Sequence, residues 1–211
     1  MVQVALLKPN VSELVRMTSH CMQQGWISSG RAQVQNTLSQ LVADRIDSGG
    51  DRRQLDSLDL TDIRILAHAL LQVMLSKASP KTALISGKHV LVSLGARGVL
   101  WCGPGDHLLG KSRSSFSQRD QPQGLVHNEA SNIASWHIPA LPVDMRTGGS
   151  VVTNGAGDAL LGGVLRDLLL RQGSADAAGD GSGALPDLRS IQSGLQHAHE
   201  HLLGIRRQAS S

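Results

Sequence analysis

The run His89-Val90-Leu91-Val92-Ser93-Leu94 constrains the fold more than any other stretch of the chain. It is too short for a buried helix and too continuously apolar for a strand with one wet face. It reads as a buried strand, broken at Gly95 and resumed at Val99-Leu100-Trp101. Such strands need helices to cover them, and the chain supplies several. The clearest runs from Asp59 to Lys77, with Asp59 or Thr61 as cap. Ile63, Leu66, Ala67, Leu70, Leu71 and Met74 recur on one face of it. Val2 to Leu7 is a short apolar strand ending at Lys8-Pro9-Asn10. Ser12 to Met22 then has helical spacing, with Leu14, Val15 and Met17 on its inner face. Later helices are expected over Ala159–Arg171 and Leu188–Leu203, the last with Ile191, Leu195, Ala198 and Leu202 on one face. Trp136 to Val143 carries Pro139 and Pro142 and is expected as an extended edge segment. This order predicts an α/β fold: a doubly wound, mostly parallel sheet with helices on both faces.

Composition supports the same class. Aromatic residues are 2% of the chain, with Phe116 the sole Phe and no Tyr, so the core must be aliphatic. A binder of single-stranded nucleic acid needs stacking platforms that this chain lacks. The net charge of +3 is spread out, with Arg52-Arg53 and Arg206-Arg207 as pairs rather than a stripe. Nucleic acid is not implied as a partner. Cys21 and Cys102 stand far apart without metal-ligand spacing. No apolar run is long enough to span a membrane, and no signal peptide is visible at Met1. A cytoplasmic protein is expected. The 211 residues read as a single domain, 1–211. Three stretches read as flexible insertions: 25–58, with a helix over Ala32–Ile46, then 104–132, and the low-complexity 173–186.

The chemistry concentrates in Thr153-Asn154-Gly155-Ala156-Gly157-Asp158, at the start of the helix from Ala159. A glycine turn opening a helix exposes backbone N–H groups, and the helix dipole adds positive character. Together they suit a phosphate oxygen or a developing anion. Glycine allows the ligand close approach to the backbone. Asp158 beside such donors has the makings of a general base for phosphoryl transfer to an alcohol. Gly162-Gly163, one turn on, would let this helix approach the sheet. On spacing alone, a plain helix cap explains the same residues about as well.

Thr153 to Asp158 and the following helix resemble the signature of the PfkB-type ribokinase family, which ends in Gly-Ala-Gly-Asp. Leu7-Lys8-Pro9-Asn10-Val11-Ser12-Glu13-Leu14 resembles that family's Asn-x-x-Glu element. Val92-Ser93-Leu94-Gly95-Ala96-Arg97-Gly98-Val99-Leu100 resembles its strand-turn-strand nucleotide loop. The three stretches stand in the family's order. The resemblance implies a ribokinase-like fold that binds ATP and magnesium. It implies Asp158 as base, the backbone of Gly155, Ala156 and Gly157 as anion hole, and Asn10 and Glu13 around magnesium, largely through water. Ser93, Gly95, Arg97 and Gly98 then edge the nucleotide site, with Gly95 and Gly98 permitting the tight turn. Arg97 reads more readily as a solvated loop charge. His197, beside Gln196 and Ala198, falls where the family shapes its adenine pocket, although a lone helical His is more often structural. Val152 stands where relatives often carry an Asp tied to a monovalent cation, which leaves potassium dependence open.

The family phosphorylates sugars, nucleosides and related alcohols. Trp136-His137-Ile138-Pro139-Ala140-Leu141-Pro142 leading into the signature is most similar to eukaryotic pseudouridine kinases. The resemblance therefore implies a small nucleoside or sugar as partner, pseudouridine favoured. Full family members are longer, so the N-terminal part and its β-lid are expected to be missing here. An edge left bare by a missing lid would favour a homo-oligomer. The second reading is a truncated, non-catalytic nucleotide-binding fragment of such a kinase.

Overall fold

A computed structural model describes residues 6–28, 30–47, 58–76, 88–105, 125–128, 132–141, 156–176 and 188–209. The sequence reads as one domain. The chain gathers into two compact units, one of residues 1–94 with 99–138 and the other of 95–98 with 139–211.

The first unit is an α/β layer. Its strands are β1 (Leu6–Leu7), β2 (His89–Ser93), β3 (Val99–Pro104), β4 (Leu125–Asn128) and β5 (Ile133–Ile138). They form one open sheet in the order β1-β2-β3-β5-β4. Its helices are α1 (Val11–Gln23), α2 (Arg31–Asp47) and α3 (Leu60–Ser76). The sheet is mixed, which corrects the expectation of a mostly parallel one. β1 pairs β2 in parallel, whereas β2–β3, β3–β5 and β4–β5 are antiparallel. The reason lies in the connection. Only Leu94 to Gly98 joins β2 to β3, and a parallel return needs a crossover of a dozen residues or more. Gly95 and Gly98 take φ of 61° and 94°, a region that disfavours any Cβ, and Gly98 N donates to Gly95 O at 3.1 Å.

A second correction concerns Trp136 to Val143. β5 lies between β3 and β4, and β4 takes the edge among the described strands. Pro139 marks where pairing stops rather than an outer strand, because a residue without an N–H cannot extend the ladder. Residues 142–155 lie outside the described residues.

The core forms where α1 and α3 meet one sheet face, with α2 packed against those two helices. Val90, Val92, Leu100, Cys102 and Ile133 of the sheet join Leu14, Ile63, Leu66, Ala67, Leu70 and Leu71. The apolar face read for α3 is the buried one. Ile63 N donates to Asp59 O, which places Asp59 at the N-cap position. At the other end, the Lys88 ammonium donates to Met74 O, where a cation suits the last carbonyls of a helix. The stretch 25–58 is not wholly peripheral. Ile27, Val34, Leu38 and Leu58 are buried in this core, and Thr37 Oγ1 donates to Asp62 Oδ1 at 3.3 Å. Within 104–132, residues 125–128 are strand β4, and 106–124 lie outside the described residues. The opposite sheet face holds Leu91, Trp101, Ala134 and Ile138, also buried. There the Trp101 indole donates to His89 Nδ1 at 3.2 Å, which puts the His89 ring proton on Nε2.

His68 on α3 makes folding depend on pH. Burial first, and the Arg64 guanidinium second, lower its imidazole from the ordinary 6.5 to about 4. Between those values the unfolded chain binds a proton that the folded chain refuses, so stability falls as the pH drops from 6.5 towards 4. The full shift is worth at most about 3 kcal/mol, and the partly exposed ring should realise about 2 of them. Urea melts across that range should show the loss, and His68→Gln should flatten it.

The second unit is built on α4 (Ala156–Asp176) and α5 (Leu188–Ala209). Leu160, Val164 and Ile191 are buried. Gly163 and Gly194 let the two backbones approach. A Cβ on Gly163 would lie 2.7 Å from Gly194 Cα and 2.9 Å from Ser193 O. Gly163 thus serves packing of α4 on α5, not the approach to the sheet expected for Gly162-Gly163; Gly162 faces open space. Ser190 Oγ donates to Asp167 Oδ2 at 2.7 Å across the same pair. Of the stretch 173–186, residues 173–176 finish α4 and the rest lie outside the described residues.

Candidate functional site

Asn10, Glu13 and Ser93 come together at the carboxyl ends of β1 and β2. Open α/β sheets bind ligands beyond the carboxyl ends of their parallel strands. Asn10 bridges in parallel to Ser93, and Ser93 N donates to Pro9 O at 3.0 Å. Asn10 is also the N-cap of α1. Its Oδ1 accepts from Glu13 N at 2.9 Å, and Glu13 Oε2 accepts from Asn10 N at 2.8 Å. This is a reciprocal capping box, and it gives the Asn-x-x-Glu spacing a structural purpose of its own. Both residues are exposed, so both face solvent as a ligand pair must.

The box does not exhaust their donors. Glu13 commits one carboxylate oxygen and keeps the other, while the Asn10 carbonyl has a second lone pair. Hard oxygen donors on an exposed helix start suit a magnesium ion held mostly by water and phosphate. Among the described residues no group of three or more His, Cys, Asp or Glu converges as a metal cage.

Gly95 and Arg97 begin and end a short 3₁₀ turn, with Gly98 following it. Arg97 is half-buried and engaged by a neighbour, so it is more than a freely solvated charge.

Ala156, Gly157 and Asp158 form the first turn of α4. Helix geometry leaves the amides of that turn without an acceptor inside the helix. The positive end of a 21-residue helix therefore lies beside an exposed carboxylate. Gly155 and the residues before it lie outside the described residues.

His197 has a packing role on α5. Its Nδ1 lies 3.1 Å from Ser193 O, and its Nε2 lies 3.0 Å from an Arg166 terminal nitrogen. A carbonyl only accepts and a guanidinium only donates. The ring proton therefore sits on Nδ1, and Nε2 is the acceptor. Both ring nitrogens are thereby occupied in tying α5 to itself and to α4.

Sequence reasoning missed several buried polar atoms of the first unit. Arg64 Nε, His68 Nε2 and Ser135 Oγ are buried with no hydrogen-bond partner. The available signal was Arg64 and His68, four residues apart on a helix whose other neighbours are apolar. No protein-family model matches the chain, and a search among curated proteins finds no match.

Proposed function

We propose that this chain is the nucleotide-binding part of a PfkB-type, ribokinase-like kinase. It would move the γ-phosphoryl of ATP to a hydroxyl of a nucleoside or sugar, with pseudouridine the favoured acceptor. The observation that carries the reading is the exposed pair Asn10 and Glu13, with Asn10 bridged to Ser93 at the carboxyl ends of two parallel strands. Asp158, exposed in the first turn of α4, adds the base.

The roles follow from the donors and acceptors each group presents. Glu13, with Asn10, would hold a magnesium ion, which would offset the charge of the ATP phosphates. Ser93 and the turn at Gly95, Arg97 and Gly98 edge the nucleotide. Asp158 takes the proton of the acceptor hydroxyl as its oxygen bonds to the γ-phosphorus. The bond from that phosphorus to the bridging oxygen breaks, and ADP leaves with the electron pair. Amides of Ala156 and Gly157, with Gly155 before them, stabilise the charge gathered on the transferred group.

Glu13→Gln separates the ligand role from the capping role. Glutamine keeps an acceptor for Asn10 N and completes the same box, but it loses the charge that attracts magnesium. Calorimetric titration of the wild-type chain with Mg-ATP should saturate and should weaken without magnesium. Glu13→Gln should lower Mg-ATP affinity about tenfold while stability stays within about 0.5 kcal/mol. Equal affinity for the two proteins would leave Glu13 with its cap alone.

A further inference from the structure

We draw no further inference here: the strongest candidate, the apolar surface patch on α4 where Leu165, Leu169 and Leu170 are exposed, carries none because nothing in the structure shows what covers it.

Discussion

Asp158→Asn is expected to lower the rate of phosphoryl transfer by roughly 10²–10⁴-fold, the usual contribution of a positioned general base. Mg-ATP affinity should stay within about twofold, because the base contacts the acceptor rather than the nucleotide. The competing explanation of Asp158 is that of a carboxylate favourably placed at a helix start. Under that explanation, the substitution costs about 0.5 kcal/mol of stability and nothing else. Asparagine matches aspartate in size and has an exposed site to occupy, so the fold should survive and the comparison should be clean. Steady-state kinetics beside a urea melt of each protein separates the two accounts.

Gly194→Ala is expected to destabilise the second unit by about 3 kcal/mol, at the upper end of what overpacking costs. The added Cβ would lie 2.5 Å from Leu160 O and 2.7 Å from Val164 Cγ2. A backbone carbonyl cannot swing aside as a flexible side chain does, so α4 and α5 must separate. Alanine is the better helix former by about 1 kcal/mol, which is too little to offset the clash. Gly162→Ala is the internal control, since its Cβ meets nothing within 4 Å. There the helix propensity acts alone, and the variant should gain between about 0.5 and 1 kcal/mol. Denaturant melts of the two variants should therefore move in opposite directions. A Gly194→Ala melt that matches wild type would mean that the helices do not cross at that glycine.

Patterns of apolar residues made much of this fold legible. Ile63, Leu66, Ala67, Leu70 and Leu71 announced the buried side of α3, and the run from His89 announced β2. Sheet direction was harder to read. A continuous apolar run is compatible with either pairing, and only the brevity of the Gly95–Gly98 turn decides for antiparallel. Proline misled at 139, where it ends a central strand instead of marking an edge. Gly163 invited a partner, but its spacing cannot say whether that partner is a sheet or a helix. At the candidate site, the sequence named Asn10 and Glu13 without disclosing their capping box. The same two side chains fit both purposes, because a carboxylate that accepts an amide hydrogen also attracts a cation. Ser135 escaped notice as a buried polar residue because only strand register sets it opposite Cys102.

Transfer itself tests the central claim most directly. The wild-type chain is incubated with magnesium, γ-labelled ATP and, in separate reactions, pseudouridine, uridine and ribose, and the acceptors are then separated from nucleotide. Label should appear on an acceptor as a phosphate ester, most rapidly on pseudouridine, with one ADP formed for each ester. Mg-ATP that binds while every acceptor stays unlabelled would contradict the account and leave a chain that holds a nucleotide without using it.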